Sequence, residues 1–173
     1  MNALKTLSII IIFIGSMTFG FAQKQKVITL DKINYNGFVA LSDSLKTYRE
    51  TRLIDEATFN NYSKQPHTII LDTRSKKAYD DIHIKGAIHL NFSDFTEEKL
   101  NNIIPDRTTR ILIYCNNNFD SKKRSLLNKY RRLALNIPTF INLYGYGYKN
   151  IYELKGYLNE LETQIPLQTN SKK

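Results

Sequence analysis

Cys115 is the only cysteine in a chain of 173 residues. It follows the run Ile111-Leu112-Ile113-Tyr114 and precedes Asn116, Asn117 and Asn118, after which come Phe119, Asp120 and the basic Lys122, Lys123 and Arg124. A lone cysteine cannot form an internal bridge, so it is either a small buried residue closing a strand or a thiol kept for its chemistry. At the carboxyl end of a buried strand the backbone turns, and several N–H groups can converge on one concavity that stabilises an anion. Nearby lysine and arginine and a helix N-terminus would depress the thiol pKa, and the thiolate is the form that attacks sulfur or phosphorus. Asparagines tolerate left-handed backbone and offer amide donors. Asn116, Asn117 and Asn118 are therefore expected to build an uncharged cradle, in a binding loop that also takes in Phe119, Lys122 and Arg124. Three scattered histidines, His67, His83 and His89, give no metal-site spacing without a second cysteine, and no metal or organic cofactor is required.

Such a thiol needs elements to hold it. The stretch 37–52 has apolar residues at Phe38, Leu41, Leu45 and Tyr48, a helical spacing, and Asp55 caps a second short helix with Phe59 and Tyr62 facing inward. Residues 67–72 read as a strand, then come a short turn around Ala78 and Tyr79 and another strand at 87–91. Ser93 is expected to cap a helix stopped by Pro105, and residues 110–115 form the strand that delivers Cys115. Asn136 caps a helix with Pro138 in its first turn, residues 148–154 form a strand, and residues 155–165 a closing helix. Short apolar strands alternating with helices predict an α/β fold, a parallel sheet covered on both faces with its site at the carboxyl ends of the strands.

Residues 1–22 begin with Lys5, continue through an apolar stretch over 7–21 and end in small residues before polar Gln-Lys-Gln-Lys. This is the pattern of a secretory leader cleaved after Ala22, and the apolar stretch falls short of the roughly 20 residues of a spanning helix. The expected product is exported, to the periplasm of a two-membrane bacterium, with no transmembrane segment in the mature chain. Removing Lys5 with the leader lowers the net charge from +9 to +8. The excess gathers at 120–132, where Lys122, Lys123, Arg124, Lys129, Arg131 and Arg132 face one acid, Asp120. Such a run is either a solvated face or an attractor of anions, and export argues against nucleic acid.

Two further stretches carry a resemblance. Residues 69–92, with an apolar strand, Asp72-x-Arg74, a helix around Tyr79, then His83-Ile-x-Gly86-Ala-Ile and a strand, resemble the first signature of the rhodanese-like domain. Residues 111–115 resemble the strand delivering that family's catalytic cysteine, and residues 147–158 its Gly-Tyr-x-Asn-Val segment. The match covers about 53–161, leaving 23–52 as an N-terminal helical extension and 162–173 as a flexible tail.

The resemblance implies a parallel sheet flanked by helices, with Cys115 accepting a sulfane sulfur as a persulfide. The next residues' backbone would form the anion cradle, and Asp72, Arg74, His83 and Gly86 would support the site. It implies a small sulfur-donor anion and a thiol acceptor as partners. The family's compact Arg- and Gly-containing loop is replaced here by Asn116, Asn117, Asn118 and Phe119. The spacing from Cys115 to Tyr148 is also longer than usual, so residues 119–134 read as an insertion that could recognise a protein partner. The fold's phosphatase members place His before the cysteine and Arg six residues after it; Tyr114 and Ser121 stand there, which argues against phosphoryl transfer. Three readings remain: a sulfurtransferase, a binding module on the same scaffold, and a redox role in which Cys115 forms a mixed disulfide and needs a reducing partner.

Overall fold

The apolar runs around Ile70 and Leu112 lie side by side, each buried on both faces, and this is why they read as continuous hydrophobic stretches without alternation. The computed structural model describes residues 32–120 and 127–170. All elements below fall within the unit that begins at Asn34. Five strands make the central sheet: β1 (Leu53–Ile54), β2 (Thr68–Asp72), β4 (Ile88–His89), β5 (Arg110–Tyr114) and β7 (Ile151–Leu154), in the order β1-β7-β5-β2-β4. Every pairing in it is parallel. Two small ribbons stand outside it, β3 (His83–Ile84) with β9 (Leu167–Gln168) and β6 (Phe119–Asp120) with β8 (Leu158–Asn159).

Register sorts the core into two layers. Ile70, Leu112 and Leu154 turn to one face and pack with Phe59, Phe119, Leu158 and Ile165. Leu71, Ile113 and Ile151 turn to the other and pack with Leu100, Phe140, Leu143 and Tyr148. Each large side chain so buried stabilises the fold by about 1.5–3 kcal/mol over its exposed state.

The helices are set by local chemistry. Asn34 Oδ1 accepts from Gly37 N–H at 2.7 Å and opens α1 (Tyr35–Ser44), and α2 (Lys46–Glu50) follows, so the single helix expected over 37–52 is broken at Leu45. Asp55 Oδ1 accepts from Thr58 N–H at 2.9 Å and caps α3 (Glu56–Ser63), as its sequence predicts. Ser75 caps α4 (Lys76–Asp81). Thr96, not Ser93, caps α5 (Glu97–Ile103); Ser93 sits in a preceding 3-10 turn. The last helix, α6 (Asn136–Gly145), has Leu135 at its cap with no side-chain bond, because Asn136 lies inside the first turn and its amide is used elsewhere.

Two expectations fail beyond β7. Residues 155–165 are not a helix: Gly156 turns at φ +86°, Leu158 is buried on β8, and Leu161 is left 96% exposed. Nor are residues 162–170 a free tail, since Ile165 is buried in the core and β9 pairs antiparallel with β3. Apolar residues at helical spacing mislead here because strand pairing partners, distant in sequence, decide the outcome. The leader at 1–22 lies outside the described residues, as do Lys122 and Arg124. No described helix is long and apolar enough to cross a membrane.

Candidate active site

Cys115 ends β5 with extended backbone, and its neighbours Asn116–Asn118 form one 3-10 turn. The left-handed cradle expected of them is absent: among the described non-glycine residues, only His67 has a positive φ. Each asparagine instead ties the turn to a different part of the fold. Asn118 Oδ1 accepts from the backbone N–H of Cys115 and from Asn136 Nδ2, both at 2.9 Å. Its own amide donates to the carbonyls of Leu154 at 2.9 Å and Gly156 at 2.7 Å. Asn117 and Lys129 bond in both directions, Asn117 Nδ2 to the Lys129 carbonyl at 2.7 Å and Lys129 N–H to Asn117 Oδ1 at 3.2 Å. Asn116 Oδ1 accepts from Arg74 Nη1 at 3.3 Å.

The thiol lies at one side of a cavity of about 350 Å³ whose lining includes Arg74, Ser93, Asn116, Asn117, Lys129 and Leu135. Cys115 is 1% exposed. Burial pushes its thiol up, opposed by backbone N–H groups of Asn136, Asn117 and Leu135, while the Glu153 charge adds to the rise. The depressed pKa expected from neighbouring cations is therefore not found: the resting thiol is held protonated. Two of the three N–H groups belong to the start of α6, beyond residues 119–134, so the chain returns from that stretch to bring a helix N-terminus to the sulfur.

Asp72 and Arg74 form a buried fork. Arg74 Nε donates to both Asp72 oxygens, at 2.9 and 3.1 Å, and Nη2 to Asp72 Oδ2 and the Ile82 carbonyl, both at 2.6 Å. The guanidinium lies over the rings of Tyr114 and Phe119, 5.1 and 5.0 Å from their centroids. Phe119, expected to face substrate, is thus a core residue beneath Arg74, 1% exposed. The Tyr114 hydroxyl donates to Asp72 Oδ2 at 2.6 Å and accepts from Ile84 N–H, and burial together with the Asp72 charge keeps it protonated. His83 stacks on Tyr79 at 3.9 Å, with Nδ1 2.7 Å from the Tyr79 carbonyl, and does not line the cavity that Cys115 borders. Gly86 makes an exposed turn at φ +84° that a side chain would strain.

Sequence reasoning missed Tyr114, Asn136 and Glu153, and the bond between Thr73 and Thr139 that ties the end of β2 to α6 at 3.0 Å. Glu153 alone left a trace, as a carboxylate inside the apolar run Ile151–Leu154. Among the described residues no group of three or more His, Cys, Asp or Glu is placed to hold a metal ion.

The family model of the Rhodanese-like domain matches residues 55–163. The chain belongs to the rhodanese-like domain family. Its solved likenesses are distant. The Alr3790 protein from Anabaena sp. is 18% identical with a TM-score of 0.46, over 67% of this chain and 91% of that one. A rhodanese with anions from E. coli is 20% identical with a TM-score of 0.40, over 59% and 98%. A thiosulfate sulfurtransferase from Pseudomonas aeruginosa is 16% identical with a TM-score of 0.49, over 78% of this chain and 23% of that one. No curated protein sequence matches. Within this rhodanese-like domain the parallel sheet carries Cys115 at the carboxyl end of its central strand, β5.

Proposed function

We propose that this rhodanese-like domain is an exported sulfurtransferase that carries sulfane sulfur on Cys115. The carrying observation is the thiol's place: beside a cavity of about 350 Å³, at the start of α6, with three backbone N–H groups directed to it. These groups favour the anion that forms when the proton leaves, and the persulfide that replaces it. In the first half-reaction the Cys115 thiol loses its proton to solvent and the thiolate attacks the outer sulfur of thiosulfate or another sulfane donor. A sulfur–sulfur bond forms, the donor's own bond to that sulfur breaks, and sulfite or its equivalent departs with the electron pair. In the second, a thiol or cyanide attacks the outer persulfide sulfur and the Cys115 thiolate leaves. Periplasmic delivery rests on the leader read at residues 1–22.

A second reading has its own observation. Tyr130 is 80% exposed beside Leu127, Arg131, Arg132 and Leu133, also exposed, an aromatic and basic surface at the end of the insertion that fits a protein partner better than a small anion.

The experiment is the intact mass of the reduced mature protein before and after thiosulfate, beside Cys115→Ser. A gain of one sulfur atom, reversed by cyanide or a thiol and absent from the serine variant, is the expected result. No adduct on a thiol that still reacts with iodoacetamide would favour the binding module.

A further inference from the structure

A carboxylate has no ordinary place in the middle of a parallel sheet, yet Glu153 sits third in β7, between the buried residues 151 and 154. It pairs in register with Ile113 on one side and Leu53 on the other. Ile113 precedes Cys115 by two positions, so alternation puts both on the α6 side of the sheet with Glu153. The carboxylate is met by a cation from outside the motif stretches: Arg49 of α2 donates Nε to Oε2 at 2.9 Å and Nη2 to Oε1 at 2.7 Å. Arg49 remains 28% exposed and its partner 9%, so the fork closes the carboxylate off from solvent.

We propose that Glu153 is a positioning residue that restrains the Cys115 thiol, and that Arg49, from the N-terminal helix pair, keeps that carboxylate ionised. This rests on reading Cys115 as the sulfur carrier. Burial raises Glu153, while the Arg49 fork and the Asn136 amide oppose the rise. The retained negative charge in turn disfavours the thiolate. Among the described residues, Arg49 is the cation paired with Glu153. From α2's end Arg52 turns to the Tyr152 hydroxyl, α6 offers Asn136, and β5 offers Ile113. On the cavity side Arg74 is committed to Asp72, and Lys129 lines the wall. A thiol restrained this way stays protonated until a donor enters, which suits a lone cysteine meeting an oxidising compartment.

The test is the pH profile of Cys115 alkylation by iodoacetamide in the mature parent, Glu153→Gln, Arg49→Met and the double variant, with thermal melts to confirm that each folds. Glu153→Gln keeps the shape and removes the charge, so its midpoint falls and its rate at neutral pH rises about tenfold. Arg49→Met moves the profile of the parent but moves that of Glu153→Gln less than twofold. A Glu153→Gln profile that is unchanged or displaced upward overturns the restraint; equal effects of Arg49→Met in both backgrounds overturn the role given to Arg49. A parent thiol that never alkylates while folded overturns both this inference and the sulfur-carrier reading. If the profiles shift as stated but thiosulfate leaves no sulfur on the parent, the restraint stands and the sulfurtransferase reading fails alone.

Discussion

At the scale of single residues, the thiol and its buried surroundings set the chemistry. Because burial raises the Cys115 pKa in the folded chain, the folded state holds that proton more tightly than the unfolded one. Linkage then gives a signed outcome. The stabilisation is fully present below the unfolded cysteine value, about pH 8.5, and is lost as the pH climbs through the raised folded value. The urea midpoint of the parent should therefore fall above about pH 8.5 with a component that Cys115→Ser lacks, read as the difference between their midpoint-against-pH curves. That Cys115 ends a strand was legible from four apolar residues ahead of it. The competition between burial and three N–H groups was not, since it depends on where α6 begins in space. The asparagines show the same limit. Their amides are expected from sequence to donate into a cradle, but sequence could not show that Asn118 accepts from Cys115 and Asn136 and donates to the carbonyls of Leu154 and Gly156.

At the scale of elements, the Asp72–Arg74 fork joins β2, the end of α4 and β5 through one buried guanidinium. Tyr114 is the strand-borne member of that group, and its hydroxyl links β5 to the backbone of β3 at Ile84. Tyr114→Phe leaves a buried N–H and one carboxylate lone pair without a partner, a loss of about 1–3 kcal/mol, to be measured as a lower urea midpoint with an unchanged slope. The three family motifs were readable because each combines strand periodicity with a fixed polar pair or glycine, features that local geometry demands. β8 and β9 were unreadable for the opposite reason. Two-residue strands carry almost no periodicity, and their partners, β6 and β3, lie about 40 and 85 residues back in the chain.

At the scale of the whole molecule, the end of the chain returns to its first half. Ile165 enters the core, β9 pairs with β3, and the N–H of Asn170 and the Thr169 hydroxyl both donate to the Asp80 carbonyl. A chain ending at residue 164 loses all of these. Counting Ile165 alone at about 2–4 kcal/mol, its thermal midpoint should drop by roughly 10 °C in calorimetry. A drop within experimental error would mean that the return stabilises nothing. The paired bonds between Asn117 and Lys129 have a different implication, for engineering. They hold residue 117 to residue 129, and Asn118 and Phe119 have fastenings of their own, so this closure is made whatever the length of chain between residues 120 and 127. Doubling that length would cost only about 0.6 kcal/mol in closure entropy. Positions 121–126 are thus a graft point, where a recognition peptide or a fluorescent reporter can be inserted while the turn that carries the thiol keeps its own fastenings.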